Sequence, residues 1–543
     1  MPSQKLSTPD PVDGGVSPGS YGVLALLCLV YVLNYLDRSL IFILFPPIKK
    51  ELELSDFQMA LLGSTAFVLF YTLLGIPCGR LADRVVRKNM IAVGLLVWSV
   101  FSGLTGFAGR FSTLFCCRVL VGVGESTLGP AALSLLSDLF PPRLRGTASA
   151  LYSAGIPIGA GLALYLGGRL GQDYGWRWAF FILGFPGALL AAVVYLLHEP
   201  RRGMRDGLAT SAAPTTSTTS ATSATSTASA QNDSIAPTDI RLLFRIPTLR
   251  YHYAGYAFSS MAATCLSMWM PSYLSRTRGM PLSQVGLYTG LAATIGGLTG
   301  SVIGGLAADA WRRVHRGGRM LFCAVAALCS AATWLVLLNT DSLQVFVFCY
   351  GLLMGSGLSW LGPAAADMQD IAGPKLRGLG TGVYFFIVNV IAAGIAPPCI
   401  GKLNDVLGVA SDPLQMRRSL LVAPIACVIS AVLLYLGARS AARASGPQPT
   451  EYERTTAGLA RSADAFTCSP LLLSPGRLRH RLMREHIHGS KQVRRQGIRQ
   501  QDAVRHRSPR RSGRGLLHAA HQRRRDLQAG RRRRRSAQGR RAC

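Results

Sequence analysis

Long apolar runs recur along this chain, each close to the ~20 residues that a bilayer's hydrocarbon core requires. Twelve of them fall at roughly 21–45, 57–78, 89–109, 112–139, 146–168, 176–197, 251–275, 283–308, 319–339, 342–369, 377–401 and 418–438. The pattern predicts an all-α membrane protein with twelve transmembrane helices. Loops between the runs are short, with one exception at 198–250. Its centre, Ala209 to Ala230, is almost wholly Ser, Thr and Ala, the composition of a flexible linker. The break divides the runs six and six. The expected organisation is therefore an N-tail at 1–20, a six-helix bundle at 21–197, the linker at 198–250, a second six-helix bundle at 251–438 and a tail at 439–543.

The loops give an orientation. One set carries Arg80, Arg84, Arg87 and Lys88, then Arg143 and Arg145, then Arg201, Arg202 and Arg205, then Arg312, Arg313, Arg316 and Arg319, then Lys375 and Arg377. The opposite loops hold fewer bases and mix them with acids, as in Lys49-Lys50-Glu51-Leu52-Glu53. The excess of bases on cytoplasmic loops predicts both termini in the cytoplasm, and an inner bacterial membrane is the expected location.

The two halves repeat each other. Leu361-Gly362-Pro363-Ala364-Ala365 copies Leu128-Gly129-Pro130-Ala131-Ala132 at an offset of 233. Asp370, Arg377, Gly378 and Tyr384 copy Asp138, Arg145, Gly146 and Tyr152 at 232. A match of that length with a one-residue gap points to duplication. After run two comes Gly79-Arg80-Leu81-Ala82-Asp83-Arg84-Val85-Val86-Arg87-Lys88, and run eight closes on Gly305-Leu306-Ala307-Ala308-Asp309 with Arg312 and Arg313 after it. Each supplies a glycine for close helix packing, an acid at a helix end and bases beyond it. The acid is placed to accept from a neighbouring helix N-terminus or to pair with Arg145 or Arg377.

These features resemble the major facilitator superfamily, and the resemblance covers about residues 21–438. It implies two pseudo-symmetric six-helix bundles that rock about a central cavity to give alternating access. Gly79, Asp83, Arg84 and Arg87, with Asp138, Arg145, Gly305, Asp309, Asp370 and Arg377, would then be a cytoplasmic gating latch. Asn34-Tyr35-Leu36-Asp37-Arg38, the stretch from Arg118 to Glu125, Ser137-Asp138-Leu139-Phe140-Pro141-Pro142 and Tyr174-Gly175-Trp176-Arg177-Trp178-Ala179-Phe180 further resemble the spinster-like branch. That branch implies lysolipid or sphingoid-lipid cargo and proton coupling. Organic-anion symporters share the Asn-Tyr-x-Asp-Arg piece, so a sugar acid is the rival cargo.

Charge inside the apolar runs is where chemistry is expected. Arg118 and Glu125 lie seven residues apart, two helical turns, and so share a face. Asp37 and Arg38 are adjacent and point about 100° apart, so each needs its own partner. Charges at membrane depth are costly and mark substrate or proton pathways. The expected pairs are Arg38 with Glu125, across the first-half cavity, and Asp37 with Arg118. Glu125 is the candidate proton carrier. Arg38 cannot lose its proton but can exchange Glu125 for an anionic head group. The repeat lacks these charges: Tyr350 or a neighbour stands where Arg118 stood, and no acid matches Glu125. Trp269, Tyr273, Trp360, Tyr384 and Asn389 are candidate cavity linings on that side, and Asp367 has no assigned role.

Composition adds a few exclusions. No nucleotide loop, nucleophile triad or metal-ligand cluster stands out, so no catalytic residue, metal or cofactor is expected, and the chain is not expected to be an enzyme. The twelve cysteines read as small apolar residues. No cleavable signal peptide is evident. The net charge of +32 is concentrated at 439–543, which holds 27 Lys+Arg against 6 Asp+Glu. That Arg-rich tail is expected to be disordered. Lipid contact, nucleic-acid contact and an extension from a shifted reading frame compete for it, and the last is preferred. The expected partners are a small-molecule or lipid substrate, protons and membrane lipids, with no nucleic acid and a monomeric chain.

Overall fold

The computed structural model describes residues 16, 18–82, 84–200 and 240–444, and only the main chain of Ile76, Pro374, Lys375, Arg377, Gly378 and Ala444. Asp83, the Arg377 side chain, most of the expected linker and the Arg-rich tail lie outside this description. Among the described residues there is helix and no strand. Eleven helices are long and apolar enough to cross a membrane: Pro18–Ile43, Asp56–Gly75, Arg87–Phe107, Phe111–Leu139, Pro142–Asp173, Trp176–Tyr195, Leu282–Val314, Gly318–Asn339, Leu343–Gly373, Leu379–Val406 and Pro413–Arg443. The twelfth is Pro247–Thr277. In chain order these are spans 1 to 12, with Pro247–Thr277 as span 7.

Span 7 is the most polar for a physical reason. It buries Thr248, His252, Tyr253, Tyr256 and Ser272 inside the second bundle, away from lipid. It also begins at Pro247, within the expected linker, and a short helix, Arg241–Arg245, precedes it.

Proline explains why several spans are not straight. Pro130 and Pro363 each lack the N–H that would bond the carbonyl four residues earlier, and each ring crowds that carbonyl. Span 4 accordingly breaks between Glu125 and Leu128, and span 10 breaks at Trp360. The repeated Leu-Gly-Pro-Ala-Ala pentapeptide thus opens the second segment of both helices. Spans 10 and 11 turn at Gly373, whose φ of 69° is one that glycine adopts without strain. Among the described residues there are two π-helical turns, Leu61–Thr65 in span 2 and Val390–Ile395 in span 11. They meet across the two halves: Thr65 Oγ1 donates to the Gly394 carbonyl at 2.8 Å. Pro398 stands four residues past Gly394 and has no N–H to offer it, so that carbonyl is left for Thr65.

The halves join elsewhere along spans 5 and 8. A Cβ added at Gly161 would sit 2.6 Å from the Gly290 carbonyl, and one added at Gly286 would sit 2.2 Å from the Leu164 carbonyl. Main chain therefore packs on main chain. At the face opposite the basic loops the seam is charged. Arg276, ending span 7, makes a bidentate pair with Asp56 at 2.8 and 2.9 Å. Lys49 joins the same carboxylate, and Asp405 accepts from the Asp56 and Phe57 amides at 2.9 and 3.0 Å.

The glycines expected to pack closely at the basic loops behave differently. Gly79 and Gly305 have nothing within 4 Å of an added Cβ. The close helix approach expected at those loops is absent in this conformation, because the two halves are fastened at the other face. Gly286→Ala should therefore cost about 1–3 kcal/mol by overpacking, read as a lower unfolding temperature of the purified protein. Gly305→Ala, in the same helix, should be neutral or stabilise by up to ~1 kcal/mol.

Candidate functional site

Spans 1, 2, 5, 7, 8, 10 and 11 enclose a cavity of about 240 Å³ between the two halves. Arg38 is the charged side chain among its described lining residues. Around it the first half contributes Tyr35, Ser39, Phe42, Ser64 and Phe67. The second half contributes small and apolar residues, among them Ala263, Leu266, Leu353, Met354 and Leu358, with Ser260, Thr264, Ser267, Tyr350 and Asn389 as polar points. Trp360 lines the cavity as well. Trp269 packs against Phe45, Tyr273 stacks on Phe346, and Tyr384 packs against His252 and Tyr256, all in helix contacts outside that lining.

The four charges of spans 1 and 4 come together behind Arg38. Asp37 is 1% exposed, Arg118 0% and Glu125 1%. Their pairing differs from the expected one. Arg118 donates to three main-chain carbonyls, those of Asp37 at 3.3 Å, Arg38 at 3.1 Å and Leu62 at 3.4 Å. It grips the backbones of spans 1 and 2, not the Asp37 carboxylate. Asp37 instead accepts from Ser102 Oγ at 2.7 Å, from span 3. Arg38 lies over three rings, with its guanidinium carbon 4.4 Å from the Phe67 centroid, 5.4 Å from Tyr71 and 5.5 Å from Tyr35. Glu125 is within its electrostatic reach but not in salt-bridge contact with it. Neither Glu125 oxygen forms a well-aligned hydrogen bond, and Asn34, whose amide nitrogen is likewise unmatched, faces the carboxylate.

Two facts explain this arrangement. A guanidinium offers five donors, and main-chain carbonyls at the bends of neighbouring helices satisfy several of them without desolvating a second ion. Aromatic faces hold a cation and leave its N–H groups directed at the cavity. Fully ionised, the four groups sum to zero charge. Arg38 is the member in contact with the cavity.

At the basic loops the sequence residues divide into two repeat-related clusters. Arg87, 1% exposed, pairs with Asp138, with Glu199 at 2.8 Å and with the Ser134 hydroxyl at 3.1 Å. Arg319 pairs with Asp309 at 2.8 Å, Asp370 at 2.9 Å and Asp367 at 3.3 Å. Arg145 donates to the carbonyls of Ser137 and Phe140, closing the end of span 4. Arg319 and Glu199 were not among the expected gating residues. Arg319 stands 232 residues after Arg87, the offset that relates Asp370 to Asp138, so the repeat could have named it. Nothing in the sequence distinguishes Glu199 from a linker acid.

The Major Facilitator Superfamily model matches residues 27–397. The chain is 32% identical over 419 residues to an MFS-type efflux pump of Mycolicibacterium smegmatis, covering 77% of this chain and 92% of that protein. It is 25% identical over 416 residues to a probable L-galactonate transporter of Escherichia coli, covering 74% and 88%. Among solved structures it resembles a bacterial homologue of the human lysosomal transporter spinster in an inward-facing, unoccupied conformation. There the TM-score is 0.66 at 24% identity, over 80% of this chain and all of that one.

The site geometry separates two arginines that the sequence treats alike. Arg118→Leu should lower stability by about 3–5 kcal/mol, because three carbonyls and two buried carboxylates lose their cation. Arg38→Leu should cost less: the ring contacts, about 0.5–2 kcal/mol, plus a longer-range attraction for Glu125 that the carboxyl offsets by taking a proton. Unfolding of the two purified variants measures the contrast, and equal losses would contradict it.

Proposed function

The chain belongs to the Major Facilitator Superfamily, and from that premise we propose that it is a proton-coupled secondary transporter of an anionic amphiphile, a lysolipid or a sphingoid lipid phosphate. That it is a membrane transporter of a small molecule, and not an enzyme, follows from its family. Both termini are assigned to the cytoplasm by the basic loops, which makes the contacts around Asp56 the outer seam.

One observation carries the proposal: Arg38 lines the cavity with its charge resting on aromatic rings, while Glu125 lies behind it without a salt bridge or a well-aligned hydrogen bond. With all four groups ionised the cluster is neutral. A proton taken up by Glu125 leaves one net positive charge, and Arg38 is where that charge meets the cavity. An anionic head group restores neutrality there. Proton and anion thus bind more favourably together than apart, which is a coupling free energy between two sites. The opposing wall of Ala263, Leu266, Leu353, Met354 and Leu358 suits an apolar tail.

A sugar acid is the second reading. It is favoured by the hydroxyls of Ser260, Thr264 and Ser267 and by Asn389 on that same wall, and by the E. coli relative's name. Flux driven by a pH gradient in proteoliposomes, with a lysolipid, a sphingoid phosphate and a sugar acid in turn, separates the two cargo classes. Glu125→Gln should abolish proton-driven accumulation of whichever class is carried and leave exchange intact. Full accumulation by that variant would end the coupling proposal.

A further inference from the structure

The second bundle holds a buried polar cluster that the transport proposal does not use. Asp367, in span 10, is 5% exposed. One of its oxygens accepts from Arg319 at 3.3 Å, and the other, Oδ2, has no partner. Above it Tyr256, in span 7, is wholly buried. Its hydroxyl faces the Cys323 thiol, is within electrostatic reach of the Asp367 carboxylate, and has no well-aligned hydrogen bond. His252, one turn earlier in span 7, fixes Nε2 on the Ala364 carbonyl at 2.9 Å and leaves Nδ1 unmatched. Its ring centroid is 4.7 Å from that of Tyr256. Tyr256 in turn stacks on Trp360, at 5.7 Å, and Trp360 lines the central cavity.

Buried polar atoms are almost always satisfied, so several unmatched ones in one buried region of the second bundle need an explanation. Packing alone does not supply it, because a half-satisfied polar network is worse than an apolar core. We propose that Asp367, with Tyr256 and His252 above it, forms a second proton-binding site, in the second bundle, lying between the Arg319 cluster and the central cavity.

The ligand is a proton drawn from the aqueous phase at the basic loops. It forms an O–H bond at Asp367 Oδ2, the oxygen that Arg319 does not hold. Arg319 can release Asp367 without leaving its cluster, since Asp309 and Asp370 hold it at shorter distances of 2.8 and 2.9 Å. The charged neighbours of Asp367 are Arg319 from span 9, Arg312 and Asp309 from span 8, and Asp370 on its own helix. The titratable neutral neighbours are Cys323 from span 9, Tyr256 and His252 from span 7, and Tyr384 from span 11. The site is separate from Asp37 and Glu125, which lie in the first bundle.

Infrared difference spectroscopy of the full-length protein in liposomes, titrated with pH, tests this through the carbonyl stretch of protonated carboxylic acids. The wild type should show a component that Asp367→Asn removes and Glu125→Gln leaves in place. Tyr256→Phe should shift that component's frequency and move its titration midpoint without abolishing it. Should Asp367→Asn not fold, Asp367→Glu must still change the frequency of the same component. A spectrum that none of the Asp367 or Tyr256 variants alters across the titration would overturn the second site. Because the Glu125 component is read separately, that result would leave the transport proposal standing, and loss of the Glu125 component alone would leave this one standing.

Discussion

Arg118 imposes the constraint on which the first bundle depends. A guanidinium cannot shed its charge, and here it is fully buried among apolar helices. Burying it is tolerable only if its donors find acceptors and its charge finds a counter-charge. The chain meets the first need with main-chain oxygens from Asp37, Arg38 and Leu62. That fastens spans 1, 2 and 4 at one depth, next to the π-helical turn of span 2. The second need is met by Asp37 and Glu125 at longer range. Placing the fixed cation on the backbone leaves both carboxylates without a salt-bridge partner, and so leaves one of them able to take a proton. The other cation, Arg38, is then available to the cavity. The site is thus less a pair of ion pairs than one anchored charge and three adjustable ones.

Duplication has been used unevenly. The mechanical parts are kept in both halves: Pro130 and Pro363 break spans 4 and 10 alike, and Arg87 with Asp138 is matched by Arg319 with Asp370 at the same spacing. The charges at membrane depth are not kept. Tyr350 occupies the place of Arg118 and lines the cavity instead of anchoring helices. A carrier that rocks needs two similar halves to move, but the buried charges of spans 1 and 4 need not be doubled. Each half also departs from its twin at its latch, where Glu199 supplements one and Asp367 the other.

Much of the architecture was legible in the sequence because membrane solvation leaves few options. An apolar run of the right length must be a helix, and the repeat fixes the pairing of halves. Span 7 fell outside the length-and-apolarity pattern in the structure because its polar groups face protein, though its run was long enough to be read. The site was only partly legible. Which residues carry charge at depth could be read directly; which partner each one takes could not. Helical spacing constrains direction along one helix but says nothing of a backbone carbonyl offered by another, so Arg118 was assigned to the Asp37 carboxylate and not to its carbonyl. Cation–π contacts such as Arg38 over Phe67 join residues on different spans and leave no local signature. The clasp of Arg276 on Asp56 joins residues 220 positions apart and was equally invisible.

The glycine seam between spans 5 and 8 has a consequence for how sharply the carrier changes state. Contact at Gly161 and Gly286 is close main-chain packing, with the short Thr294 side chain reaching the Pro157 carbonyl at 3.4 Å. Dispersion between such surfaces is short-ranged, and a gap of 0.5–1 Å already forfeits about a quarter to a half of it. A seam held by flexible side chains could yield gradually and linger half open. This one loses up to about half of its attraction at the first small parting, which disfavours intermediate separations. The two halves then tend to be either joined or apart on that side, which keeps the cavity from standing ajar on both faces at once.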